Sequence, residues 1–102
     1  MNCVRIDHEG TTRLAFSGAL DALTVLDVRA VLDAVAADGP RRVVLDFAEL
    51  TVLDSSGVGA VVSLYKRIRA KDGTLLIARA HAQPLLVLRE LKLDRLLSPE
   101  LA

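Results

Sequence analysis

Polar and apolar residues alternate at the start of the chain, as they do in strands that bury one face. The alternation covers residues 4–7 and 13–16, and the segment between them contains Gly10, which favours a turn. These segments predict an opening β-hairpin. We expect its second strand to end at Ser17 and Gly18.

A helical spacing of apolar residues then replaces the alternation. Thr24 is predicted as the N-cap, with Asp27 three residues later in the arrangement of a capping box. Gly39 followed by Pro40 predicts the end of this helix. The residues expected on its apolar face are Leu23, Leu26, Ala30, Val31, Ala34 and Val35.

Short continuous apolar runs follow this helix. Residues 43–45, Val-Val-Leu, are typical of a strand buried on both faces, and therefore of a central strand with parallel neighbours. Residues 46–51 are predicted as a turn, followed by a brief apolar step at Val52 and Leu53. Residues 74–78 predict one more strand.

The spacing also predicts two later helices. The first has basic residues at its C-terminal end, where cations suit the helix dipole. Its apolar face is formed by Val58, Val61, Val62, Tyr65 and Ile68. Pro84 is predicted as the first residue of the other helix, which runs from residue 85 to about residue 91. An apolar tail over residues 93–97 is expected to fold back on the body.

The predicted order of elements is β-β-α-β-α-β-α with a short helical segment at the C-terminal end. Helices that alternate with strands connect parallel strands, so the fold class is α/β in a mixed α+β form. We expect a mixed sheet of about four strands with the helices mainly on one face. A chain of 102 residues, 52% of them hydrophobic, is the size of one globular domain.

Composition argues against several classes of function. Aromatic residues are 3% of the chain and the net charge is zero, which disfavours direct binding of nucleic acid. Cys3 is the only cysteine, and His8 and His81 lack metal-ligand spacing, so we expect no metal site and no cofactor. The sequence has no signal peptide and no run of 18 apolar residues, which predicts a cytoplasmic protein without membrane insertion.

The residues whose side chains could take part in chemistry are 54–59, Asp-Ser-Ser-Gly-Val-Gly. They lie where a predicted strand leads into a predicted helix. One hydroxyl is expected to cap the helix and the other to be free. Because the first N–H groups of a helix are unpaired and favour anions, a phosphate on a serine there would find amide donors. Gly57 and Gly59 would leave room for a partner's backbone. An ordinary N-cap without further function explains the same residues, and the residues alone leave both interpretations open.

A serine hydrolase is the enzyme alternative. The chain lacks Gly-x-Ser-x-Gly, and neither histidine is placed to activate Ser55 or Ser56. We therefore predict no catalytic residue and a protein that acts by binding.

Residues 43–47 and 53–60 resemble the core of the STAS domain, and they are most similar to the bacterial anti-sigma factor antagonists. Gly-Ala-Leu-Asp at 18–21, Gly-Thr-Leu at 73–75 and Leu-Asp-Arg-Leu-Leu at 93–97 agree in order and spacing. The resemblance implies a single STAS domain over residues 1–102. Lys92 stands where the family usually has glycine, so the last helix either ends at an unfavourable left-handed residue or runs on.

The resemblance also implies a partner-switching cycle. The second serine of the family's Asp-Ser-Ser-Gly motif is phosphorylated, and that serine is Ser56 here. The unphosphorylated protein, expected to be a monomer when free, would bind an anti-sigma factor that is also a serine kinase. A PP2C-type phosphatase would remove the phosphate.

Supporting or partner-binding roles follow from the same resemblance for Asp21, Asp54, Ser55, Gly57 and Val58. Asp54 would either position the hydroxyl or brace the loop. The alternative within the family is a docking subunit of a lipid-transport ABC complex that has no phosphorylation cycle.

Overall fold

The first two strands form the predicted hairpin in the computed structural model, which describes residues 1–97. β1 (Asn2–His8) pairs antiparallel with β2 (Thr11–Leu20). Glu9 and Gly10 form the turn with positive φ angles of 48° and 82°. β2 runs past the predicted end at Gly18 because its last residues still pair with the third strand.

The sheet has four strands in the order β1-β2-β3-β4 and is mixed, as predicted. β3 (Arg42–Leu53) pairs in parallel with β2 on one side and with β4 (Thr74–Ala78) on the other, which is the predicted central position. The turn predicted at residues 46–51 is wrong, since β3 is continuous through them. Two register shifts in the pairing with β2 absorb the irregular residues without ending the strand.

Asp46 lies inside β3 although aspartate favours turns. Its side chain is 7% exposed and accepts hydrogen bonds from the guanidinium groups of Arg13 and Arg79, each at 3.0 Å. It also accepts from the N–H of Ala48 at 3.1 Å. These donors, Arg79 above all, lower the pKa of Asp46 to about 2. The strand therefore continues because the buried carboxylate is fully paired.

The helices pack in two groups. α1 (Val25–Asp38) and α2 (Ser55–Ala70) pack against each other and against the sheet. α3 (Ala82–Glu90) contacts β3, and α4 (Asp94–Leu97) contacts β4. The observed order of elements is the predicted one.

The core between these layers is aliphatic apart from two aromatic rings. Phe16 and Phe47 meet edge to face with their ring centroids 5.7 Å apart. The largest fully buried aliphatic side chains are Leu14, Leu20, Leu45, Leu50, Leu53, Leu64, Ile68, Leu75, Ile77 and Leu88.

The buried face of α1 differs from the predicted one. Leu23 and Leu26 are 81% and 63% exposed. This helix has so many apolar residues that two overlapping faces are compatible with helical spacing. Packing against the sheet determines which of the two faces is buried. The buried residues are Val25, Val28, Leu32, Val35 and Ala36.

The end of α1 is capped by its own glycine and by a distant lysine. Gly39 ends the helix as predicted, in a left-handed conformation with a φ of 57°. Lys71, just after α2, donates from Nζ to the carbonyls of Ala36 at 2.9 Å and Ala37 at 3.1 Å. This positive charge at the carboxyl end of α1 interacts favourably with the helix dipole and so stabilises the helix.

The later helices depart from their predicted bounds. α3 begins at Ala82, so Pro84 is its third residue and not its first. Lys92 has a φ of 59°, so α3 ends before an unfavourable left-handed residue. Leu97 is buried, which confirms that the tail folds back. None of the helices within residues 1–97 combines the length and apolar character that a bilayer crossing requires.

Candidate functional site at the start of α2

Asp54 is the N-cap of α2. Its backbone is extended, and its Oδ1 accepts a hydrogen bond from the N–H of Gly57 at 3.0 Å. The expectation that one of the two serine hydroxyls caps the helix is therefore wrong. A carboxylate takes that position because Ser55 and Ser56 already lie inside the first helical turn.

The second oxygen of Asp54 joins the beginnings of the two large helices. Oδ2 accepts from the N–H of Ala22, just before α1, at 3.2 Å. The N–H of Asp54 itself donates to the carbonyl of Leu20 at 3.3 Å. Of the two roles considered for Asp54, these contacts favour bracing of the loop.

Asp21 braces the turn that leads into α1. Its Oδ1 accepts from the N–H groups of Leu23 and Thr24, both at 3.0 Å. The hydrogen bond from Thr24 is the main reason why the pKa of Asp21 is lowered. Thr24 occupies the predicted N-cap position but its hydroxyl caps nothing and bonds to the carbonyl of Ala19 at 2.6 Å.

The two serines are left with free hydroxyls. Ser55 is exposed and Ser56 is half-buried, and neither hydroxyl makes a hydrogen bond within residues 1–97. The first turn of α2 contains no acidic residue, and the N-cap carboxylate of Asp54 is the negative charge that faces the start of the helix. A hydroxyl at this place can accept a phosphoryl group, and the resulting anion would lie at the start of a helix.

The two glycines of the motif have different environments. A Cβ on Gly57 would lie 2.6 Å from the carbonyl oxygen of Leu20 and 2.7 Å from Cδ1 of Leu53. Gly57 thus allows the chain's own packing, and the expectation that it leaves room for a partner is wrong. A Cβ on Gly59 would meet nothing within 4 Å, so this side of α2 is open. Val58 is half-buried against the core.

A groove of about 680 Å³ separates α1 from α2, and we call it the α1–α2 groove. Ser56 and Ala60 line it on the α2 side, and Leu26 and Arg29 on the α1 side. Further along, Arg67 of α2 donates to Asp33 of α1 at 3.0 Å. The two helices run in the same direction, because they begin together at Asp54 and meet again at this ion pair. Their positive dipole ends therefore converge beside Ser56.

Sequence reasoning missed several residues that build this region. The helical spacing predicts Leu26 on the apolar face of α1, and no sequence motif singles out Arg29. Gln83, at the start of α3, accepts from the N–H of Leu53 at 2.8 Å and donates to its carbonyl at 2.9 Å. It holds the residue that precedes the N-cap of α2, and a lone glutamine 30 positions away gives no signal in the sequence.

The two histidines and the cysteine, whose spacing in the sequence argues against metal ligation, have environments of their own outside the serine motif. His8 is exposed at the end of β1, and His81 Nε2 bonds to the carbonyl of Ala48 at 2.8 Å. Cys3 is half-buried, and burial raises the pKa of its thiol to about 11. Within residues 1–97, no three side chains of His, Cys, Asp or Glu come together as a metal site.

Comparison with known proteins agrees with this architecture. An anti-sigma-B factor antagonist from Staphylococcus epidermidis is 29% identical over 77 residues, which are 76% of this chain and 71% of the relative. A crystal structure of an anti-sigma factor antagonist from Mycobacterium paratuberculosis has a TM-score of 0.82 at 21% identity, over 95% of this chain and 82% of that one.

Two other solved structures share the fold. SpoIIAA, an anti-sigma factor antagonist in its unphosphorylated form, has a TM-score of 0.73 at 21% identity, over 91% of this chain and 83% of its own. A sulfate transporter family protein from Wolinella succinogenes has a TM-score of 0.75 at 17% identity, over 93% and 77%. The family model of the STAS domain matches residues 4–101. The chain therefore belongs to the STAS domain family.

Proposed function

We propose that this STAS domain is an anti-sigma factor antagonist controlled by phosphorylation of Ser56. The unphosphorylated protein binds an anti-sigma factor that is also a serine kinase, and this binding releases a sigma factor. The kinase then transfers the γ-phosphoryl group of ATP to the Ser56 hydroxyl, and the complex dissociates. A PP2C-type phosphatase restores the serine.

The observation that carries this proposal is the setting of Ser56. Its hydroxyl is accessible and makes no hydrogen bond within residues 1–97, and it lies where the starts of α1 and α2 converge. Asp21 and Asp54 hold these starts in place through their carboxylates. The site is therefore preorganised around a hydroxyl that the fold itself does not need.

Electrostatics supports a switch that needs no refolding. A phosphate on serine adds about −1.5 to −2 charges at pH 7. The converging helix starts stabilise that charge in the free protein. In a complex the same charge would meet the partner's surface and lie near the Asp54 carboxylate, where like charges repel.

The protein acts by binding in this proposal and catalyses nothing. Its place is the cytoplasm, where the sigma factors and their kinases act, and it contacts neither nucleic acid nor membrane directly. Ser55, Gly59 and Val58 border the serine and belong to the contact surface. Gly57 supports that surface from within.

The test is phosphosite mapping in the native host combined with binding measurements. Intact mass should show a species about one phosphate heavier whose amount changes with growth condition, and fragmentation should place the phosphate on Ser56. Ser56→Asp should weaken binding of the purified kinase at least tenfold, and Ser56→Ala should keep binding but lose phosphorylation. Ser55→Ala is the matched control for the site of modification, and it should still be phosphorylated because it keeps Ser56. Equal affinity of the kinase for Ser56→Asp and for the wild type would contradict the proposal.

The second candidate is a docking subunit of a lipid-transport ABC complex. The fold shared with a sulfate transporter family protein favours this reading, since it places the same architecture in a transport context. It predicts no phosphate on Ser56 under any condition, and co-purification with a permease and an ATPase.

A further inference from the structure

Arg29 is a cation without a partner in the α1–α2 groove. It lines the groove from α1 and makes no hydrogen bond or ion pair within residues 1–97. The other two charged side chains of the groove, Asp33 and Arg67, neutralise each other at 3.0 Å. Among residues 1–97, the lining of the groove beside Ser56 therefore carries a formal charge of about +1 that no ion pair compensates.

Leu26 gives the same wall an apolar contact. It lies one helical turn before Arg29, so the two side chains are neighbours on the surface of α1. Leu26 is 63% exposed and lines the groove, so its side chain is available for contact with an apolar group there. Gly59 and Ala60 on the opposite wall are small and keep the groove open.

We infer that the α1–α2 groove binds an acidic, amphipathic segment of the partner, with an aliphatic side chain against Leu26 and a carboxylate against Arg29. The inference rests on the proposed function, and it identifies the surface to which the anti-sigma factor binds. Charge complementarity is the reason for choosing an acidic segment, because within residues 1–97 Arg29 is the charged residue of the groove that has no ion-pair partner.

The groove also explains how a phosphate on Ser56 ends binding. The hydroxyl lies on the wall that faces Leu26 and Arg29. About −1.5 to −2 charges added there change the formal charge of the groove from positive to negative. An acidic segment attracted before phosphorylation is repelled after it. The switch is thus a reversal of charge in one groove, with the fold unchanged.

The experiment measures the affinity of Arg29→Glu for the purified anti-sigma factor, namely the kinase that phosphorylates Ser56 with ATP. The variant should bind roughly tenfold or more weakly while Ser56 is unphosphorylated. Rising salt should weaken wild-type binding but strengthen the variant's residual binding, because it screens attraction in the first case and repulsion in the second. Leu26→Ser should weaken binding without changing its salt dependence.

Arg42→Glu is the matched control, because it makes the same change of charge on an exposed residue at the start of β3, outside the groove. It should bind like the wild type, and the thermal unfolding of all variants should confirm that they fold. If Ser56→Asp weakens binding and Arg29→Glu does not, the inference is overturned while the proposed function stands. If the wild type binds no such kinase, both the proposed function and the inference about the groove are refuted.

Discussion

At Gly57, a single hydrogen atom is all that the surrounding packing permits. Leu20 and Leu53 approach it from the ends of two neighbouring strands, and the first turn of α2 rests on them. Gly59, two residues later, borders open space. The motif thus contains one glycine required by close packing and one that the fold does not need.

Alanine at the two glycines should have opposite effects. Gly57→Ala forces its Cβ against a backbone oxygen at 2.6 Å, and we expect a loss of about 1–3 kcal/mol in the free energy of unfolding. Gly59→Ala adds a methyl group where nothing lies within 4 Å, and should stabilise the helix by about 0.5–1 kcal/mol. Urea denaturation of the two variants provides the comparison. Equal effects would show that α2 does not begin as described.

At the scale of elements, the start of α2 is held from three directions. Asp54 joins it to α1 through Ala22, Leu20 supports it from the end of β2, and Gln83 pairs with the backbone of Leu53 just before it. Gln83 supplies to Leu53 the hydrogen bonds that a residue of β4 would otherwise make, because β4 ends at Ala78 and does not extend alongside Leu53. The first turn of α2, which carries the serines, is therefore firmly attached to the rest of the fold.

Removal of the Gln83 side chain should loosen this attachment. Gln83→Ala leaves the N–H and carbonyl of Leu53 without their side-chain partner, which should cost about 1–3 kcal/mol. Amide hydrogen exchange should accelerate at Leu53 and at the first turn of α2. Leu86→Ala, at an exposed position of the same helix, is the control and should leave both unchanged. Unaltered exchange at Leu53 in the Gln83 variant would refute the role given to that side chain.

At the scale of the whole molecule, one buried charge connects distant parts of the sheet. Asp46 in β3 binds Arg13 from β2 and Arg79 from the segment that follows β4. Its pKa of about 2 lies below the ordinary value of 3.8, so the unfolded chain takes up the proton first as pH falls. The stabilisation is complete above about pH 5 and is lost progressively as pH falls towards 2.

The pH dependence of unfolding should reveal this contribution. The wild type should lose about 2 kcal/mol of stability between pH 5 and pH 2 on account of Asp46. Asp46→Asn should be less stable at neutral pH, and its difference from the wild type should shrink over the same range. Glu90→Gln removes an exposed carboxylate and serves as the control. A difference between wild type and Asp46→Asn that stays constant down to pH 2 would argue against the ion pairs.

The sequence by itself determined the features that depend on near neighbours. Alternation in residues 4–16 predicts the hairpin, Gly39 predicts the end of α1, and the apolar run at residues 43–45 predicts the central strand. The Asp-Ser-Ser-Gly motif likewise marks the start of α2, because capping and helix spacing act over three or four residues.

Only the tertiary structure decided which atom does what at the site. Asp54 reaches Ala22 across 32 positions, Gln83 reaches Leu53 across 30, and Arg67 reaches Asp33 across 34. Such contacts leave no periodic trace in the sequence, because neither partner constrains its own neighbours. For the same reason, three features emerge only when the sheet and the two parallel helices come together. They are the exposed wall of α1, the pairing of Asp46, and the charge of Arg29, which has no partner within residues 1–97.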